Sequence, residues 1–191
     1  AGISGLSCAN ALGASGFEVT LIEREAEPGG MLRRLYKLAP EGADASAVLD
    51  RAIKEVRAKP NVELLTSATL KEASGYIGNY DVVISADGEE IKKNVAVIIL
   101  ATGARLWSPA KGEFGYDGKR VITQLELEKH LKARSVEASD VVIIQCVGAR
   151  CEERPYCARI CCMTAVKNAV LIKEMRPESR VTVLYRDLQC Y

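Results

Sequence analysis

Four β-branched residues, Val141-Val142-Ile143-Ile144, run straight into a segment where five of the seven cysteines crowd between Cys146 and Cys162. No other feature restricts the fold as much. An apolar run of this kind reads as a buried strand of a parallel sheet. A helix from about Cys161 to Met175 follows, and then a second strand-like run, Val181 to Tyr185. Strand, loop, helix and strand in that order form a βαβ unit, a parallel pair with a right-handed crossover. The cysteines therefore lie on its loop and at its helix start. A secreted disulfide scaffold would spread its cysteines and would usually be shorter. Crowding in an α/β-patterned chain points to metal in a reducing compartment, hence an expected cytoplasmic location.

The preceding residues carry the same kind of pattern. Ile3 to Ser15 reads as a small apolar helix ended by Gly16, Phe17 to Glu23 as a buried strand, and Ala45 to Lys59 as a helix closed by Pro60. Val62 to Leu65 is a short strand. Thr69 to Lys93 alternates with turn signals at Gly75, Gly78-Asn79 and Asp87-Gly88, the mark of an antiparallel three-stranded meander. Val95 to Leu100 is expected as another buried strand, running into Ala101-Thr102-Gly103, and Leu125 to Ala133 as a helix. The fold class is α/β: a Rossmann-like domain with a meander over residues 1–138, then part of a second Rossmann-like βαβ unit over residues 139–191. The opening Ala1-Gly2-Ile3-Ser4-Gly5 reads as a motif already under way. The strand-like run from Val181 to Tyr191 ends with nothing to pair it. Both suggest a chain clipped at its ends. With 48% hydrophobic residues a core is assured, and a net charge of +1 gives no reason to expect nucleic acid or an anionic membrane as partner. No apolar run approaches the ~20 residues of a membrane span, and no signal-peptide pattern opens the chain.

The first unit has the parts of a dinucleotide site. A G-x-G-x-x-G fingerprint needs a helix after it and an acid about 20 residues on. Gly2 and Gly5 can be its second and third glycines, the first falling before Ala1. Phosphates would sit on the helix N-terminus, where free N–H groups and the dipole favour anions. Glu23 lies 18 residues after Gly5 and can accept bonds from ribose hydroxyls. Glu23-Arg24-x-x-x-Pro28-Gly29-Gly30, the meander and the Ala101-Thr102-Gly103 turn complete the pattern. Over roughly residues 1–135 the chain resembles the two-dinucleotide-binding-domain flavoproteins, which include thioredoxin and glutathione reductases. The resemblance implies FAD, held by Gly2, Ser4, Gly5, Glu23, Arg24, Gly30, Met31, Leu70 and the turn Ala101, Thr102, Gly103.

Cys146-x10-Cys157-x3-Cys161-Cys162 can supply the four thiolates of a [4Fe–4S] cluster. Arg150, Arg154 and Arg159 lie among them and can offset its negative charge, and Cys151 is a spare. Structural zinc, a redox disulfide and inert buried thiols compete. Zinc prefers two C-x2–4-C knuckles, the disulfide reading lacks a C-x-x-C, and inert thiols have no reason to crowd. A disulfide-reductase flavoprotein would carry a second glycine fingerprint here, and only Gly148 remains of it. The stretch from Gln145-Cys146-Val147-Gly148-Ala149-Arg150 through Pro155-Tyr156-Cys157-Ala158-Arg159-Ile160-Cys161-Cys162 resembles the A-type, FAD-carrying subunit of heterodisulfide reductases. That implies FAD and a [4Fe–4S] cluster on Cys146, Cys157, Cys161 and Cys162. It also implies electron transfer among other subunits of such a complex and redox-protein donors or acceptors, with electron bifurcation in some members. Lys167, five residues after the cysteine pair, would face the flavin, with Glu126 a further candidate. Larger members have additional cysteines, whereas Met31 to Val95 has none. The alternatives are an NAD(P)H-dependent flavin disulfide oxidoreductase and a zinc-stabilised, non-catalytic interaction module. His130 and the Arg33, Arg34, Lys37 run read as solvated surface, Trp107 as packing, and Cys8 and Cys190 as buried spectators.

Overall fold

The computed structural model of the chain describes residues 1–190. They divide into two compact units, one of residues 1–33 and 46–104, the other of residues 34–45 and 105–190. The helix over Leu125–Ala133, expected in the N-terminal domain, thus belongs to the second unit.

In the first unit, helix α1 (Ile3–Ala14) is followed by strand β1 (Val19–Ile22), helix α2 (Ala45–Arg57) and strand β2 (Val62–Leu65). Gly16 ends α1 with φ +85, and the N–H groups of Gly16 and Phe17 turn back to the carbonyls of Gly13 and Leu12. This is the paired bonding of a glycine-terminated helix. β1 and β2 are parallel, Val19 opposite Val62 and Ile22 opposite Leu65. The Asn61 side chain donates to the carbonyls of Gly13 and Phe17, tying the end of α1 to the start of β2. The buried face of α2 follows from its spacing, with Leu49 and Val56 buried.

The meander is β3 (Ala68–Tyr76), β4 (Asn79–Ala86) and β5 (Glu89–Val95), antiparallel in that order. Its turns fall at Gly78 and at Asp87-Gly88. Gly75, expected to mark a turn, is instead inside β3 opposite Tyr80. Val82 and Ile84 are its buried residues on β4. The expected strand Val95–Leu100 is not one: Val95 closes β5, and residues 97–100 carry no strand. Val97, Ile99 and Leu100 are exposed, Leu100 by 80%. A run this apolar is a central strand only when partners flank it, and among the described residues none does.

In the second unit, α3 (Gln124–Lys132) and α4 (Cys161–Met175) pack together, and β6 (Asp140–Ile144) lies parallel to β7 (Arg180–Leu184). This is the βαβ order read from the sequence. Leu127, Leu131 and Ile172 form the core, with Tyr36, Val141, Met175 and Val181 against it.

Candidate functional site

The nucleotide-facing part of the first unit is built on the start of α1. Gly2 is the N-cap; no side chain caps the helix and no acid stands in its first turn, so its N–H groups are left for a ligand. Gly5 is buried, and a Cβ there would lie 3.3 Å from Leu21 Cδ1 and 3.6 Å from Ala101 Cβ. This is the close helix–strand approach that the third glycine of the fingerprint provides. Gly30 (φ +51) approaches Gly2 so nearly that a Cβ on Gly30 would lie 3.1 Å from the Gly2 Cα. Two glycine backbones thus meet at the helix start. Glu23 is 9% exposed, with one carboxylate oxygen on the Ala1 amine at 2.8 Å and the other on the Glu25 N–H at 3.1 Å.

Of the other residues expected here, Ser4 is exposed, and Arg24 is exposed and paired with Glu25. Met31 lies on the 3-10 turn Gly30–Arg34. Leu70 stands at the bulge of β3, and Thr102 and Gly103 are exposed beyond Ala101. The structure therefore draws Gly2, Gly5, Glu23, Gly30 and Ala101 into one neighbourhood. Arg33 is engaged by Glu27 and the Pro28 carbonyl rather than solvated alone.

The cysteine site lies within the second unit. Cys146, Cys157, Cys161 and Cys162 line one hollow together with Arg150, Arg159 and Gln189. Cys146 follows β6, Cys157 sits on the loop, and the adjacent pair opens α4, whose N-cap Ile160 supplies no side-chain bond. The loop backbone is unusual. Cys146, Arg150 and Arg159 are non-glycine residues with φ of 61, 55 and 60. Left-handed residues of this kind cost free energy and concentrate at functional sites, and they turn successive N–H groups toward anions. The Arg159 N–H donates to the Cys157 sulfur at 3.3 Å. Burial, and after it the sulfurs of Cys162, Cys157 and Cys146, push the Cys161 thiol above its ordinary value.

Among the described residues, no three His, Cys, Asp or Glu side chains converge on a single-ion position. Four thiolates are the donor set of an iron–sulfide cube. Cys151 is exposed and outside that hollow. Cys190 is exposed and Cys8 only partly buried, so neither is the buried spectator expected.

Several neighbours escaped the sequence reading. The buried Gln145 donates to the Cys161 carbonyl at 3.3 Å. A side chain on Gly148 (φ +73) would strike Trp107 at 2.2 Å, and Arg154 lies over the same indole at 5.4 Å. Trp107 is thus a packing residue of the cysteine loop. Lys167 is not a solvated helix lysine. It is 9% exposed, ion-paired with the fully buried Glu128, and donates to the Lys37 carbonyl at 2.9 Å. Glu128 also accepts the Tyr36 N–H. Glu126 serves a different purpose: it closes a capping box with Thr123 and accepts the Tyr116 hydroxyl at 2.8 Å. His130 is exposed beside Ser135.

Comparison with known proteins agrees with this layout. Residues 1–46 match the model of the NAD(P)-binding Rossmann-like domain family. The whole chain aligns at 29% identity with an iron–sulfur subunit, of the A type, of the CoB–CoM heterodisulfide reductase of Methanopyrus kandleri and with its counterpart from Methanocaldococcus jannaschii. The chain is a relative of the A-type subunits of heterodisulfide reductases. The corresponding subunit of the ferredoxin/F420H2-dependent CoB–CoM heterodisulfide reductase of Methanosarcina acetivorans matches 98% of the chain at 24% identity. The chain spans 43% of the length of the Methanopyrus and Methanocaldococcus subunits. The Methanopyrus alignment runs over 288 positions against 191 residues here, so that relative carries internal segments with no counterpart in this chain. In fold, the chain matches L-proline dehydrogenase from P. horikoshii and Lactococcus lactis thioredoxin reductase, each with a TM-score of 0.56 and 13% identity. The matches cover 95% and 96% of this chain, and 33% and 61% of those proteins.

Proposed function

We propose that the chain is the FAD- and [4Fe–4S]-carrying portion of an electron-transfer oxidoreductase subunit of the heterodisulfide reductase type. The observation that carries the reading is the gathering of Cys146, Cys157, Cys161 and Cys162 around one hollow at the start of α4. The relatives named as iron–sulfur subunits support it, as does the pair of glycine backbones beside Glu23. In this reading Cys146, Cys157, Cys161 and Cys162 ligate the cluster. Gly2, Ser4, Gly5, Glu23, Arg24, Gly30, Met31, Leu70, Ala101, Thr102 and Gly103 hold FAD. A bound flavin exchanges electrons in pairs or singly and a bound cluster singly, which is the chemistry a relay between unlike carriers needs.

The residues of the chain shape that chemistry. The uncapped start of α4 and the Arg159 N–H stabilise negative charge on the sulfurs. Lys167 is assigned as the cation for a reduced flavin, its ammonium kept dry and fixed by Glu128. Glu126 is carried over on the resemblance alone; one of its oxygens is engaged in the helix cap and the other by the Tyr116 hydroxyl. The partners are other subunits of such a complex and redox proteins that give or take electrons. No described helix is long and apolar enough to cross a membrane.

Anaerobic reconstitution with iron, sulfide and FAD, each then quantified, tests the reading. Four irons per chain and a reduced-cluster EPR signal are expected, and Cys161→Ala with Cys162→Ala should abolish that signal. Iron content unchanged in that double variant would refute the ligand assignment. Zinc bound in place of iron, with no flavin, would select a metal-stabilised interaction module.

A further inference from the structure

Beyond β7 the chain folds back over the cysteine loop. Asp187 receives the Arg150 guanidinium on one carboxylate oxygen and the Gln189 amide on the other. Its backbone carbonyl accepts the Cys162 thiol at 3.9 Å. Arg186 donates to the Arg150 carbonyl at 2.8 Å, and Gln189 reaches the hollow itself. Arg150 itself lines the hollow that Cys146 shares. The arginine is thus held by a carboxylate 37 residues downstream, on the same hollow as the four candidate ligands. With side chains 29% and 42% exposed, the Arg150–Asp187 pair adds little to stability. Its consequence is where it places the guanidinium.

We propose that Asp187 is a positioning residue: it orients Arg150 so that an N–H and a positive charge bear on the Cys146 sulfur, raising the reduction potential of the cluster. The inference rests on the [4Fe–4S] reading above. One electron entering the cluster makes the four-thiolate assembly one charge more negative, with no bond made or broken. A cation and an N–H donor on a ligand sulfur stabilise the reduced form more than the oxidised form and so move the potential upward. The negative charge of Asp187 itself acts in the opposite direction, which lets the two contributions be separated.

The test is an EPR-monitored redox titration of the chain loaded anaerobically with iron and sulfide, with dithionite as reductant. Arg150→Gln should keep its iron and sulfide and shift the midpoint negative. Arg150→Lys, which keeps the charge but loses the fork, should shift it less. Asp187→Asn should also shift it negative, because Arg150 is released. In an Arg150→Gln background the same change should shift it upward or not at all, there being nothing left to position. An Arg150→Gln midpoint equal to wild type overturns the proposal. So does an upward shift for Asp187→Asn alone, since Asp187 would then act only as a nearby charge. If Arg150→Gln does not assemble a cluster, Asp187→Asn decides the matter by itself. A wild-type chain that takes up no iron overturns the cluster reading and this inference together, whereas a loaded chain with unmoved midpoints overturns this inference alone.

Discussion

Single residues decide more of the second unit than their spacing suggests. Glu128 and Lys167 are an ion pair almost without solvent, and removing one partner of such a pair strands a charge. Glu128→Gln should therefore cost about 3–5 kcal/mol, read as an early urea-unfolding midpoint of this unit. Glu128→Leu with Lys167→Met should recover part of the loss, and equal losses for single and double variants would show that the pair is not coupled. Glu126 gives a pH dependence. Burial opposes its ionisation, but the Thr123 N–H, the Thr123 hydroxyl and the Tyr116 hydroxyl prevail and hold its carboxyl below its ordinary value of 4.5. A folded value below the unfolded one stabilises above the unfolded value and is lost as pH falls through the folded one. Glu126→Gln should then cost about 1 kcal/mol at pH 7, and its gap from wild type should close in acid. A gap that persists at about pH 3 would rule this origin out. Gly148 answers to a spectroscopic test, because Trp107 is the sole tryptophan. Gly148→Ala puts a methyl into the indole at a backbone angle that disfavours side chains. A shift in tryptophan emission is expected, and an unchanged spectrum would contradict the contact.

At the scale of elements, the unpaired run 97–100 is the outlier. Val97, Ile99 and Leu100 present apolar side chains to solvent with no neighbouring strand among the described residues. Exposed apolar segments of high β-propensity are aggregation sites. Ile99→Lys with Leu100→Lys should lower light scattering on concentration while leaving the unfolding midpoint of the first unit within about 0.5 kcal/mol of wild type. A large loss of stability would mean that these side chains are packed after all. The meander, by contrast, needs no neighbour to satisfy its central strand, and α4 begins at Cys161 as its spacing implied.

For the molecule as a whole, the division into two compact units predicts how a cofactor's stabilisation is distributed. A ligand that binds only the folded state stabilises the part it binds, and metal binding couples to folding locally. Iron and sulfide loading should slow amide exchange over residues 140–190 and leave residues 1–33 and 46–100 little changed. Equal protection of both units would show that they respond as one. The amino-acid sequence by itself determined the α/β class, the limits of α4, the antiparallel meander and the candidacy of Cys146, Cys157, Cys161 and Cys162. These are legible because strand and helix periods, turn glycines and cysteine spacing are local. Only the tertiary structure decided that residues 97–100 have no partner strand among the described residues, that Glu128 meets Lys167, and that Asp187 reaches Arg150. Each of those depends on which distant segment lies alongside, and burial and pairing over such separations leave no mark in the spacing of neighbouring residues.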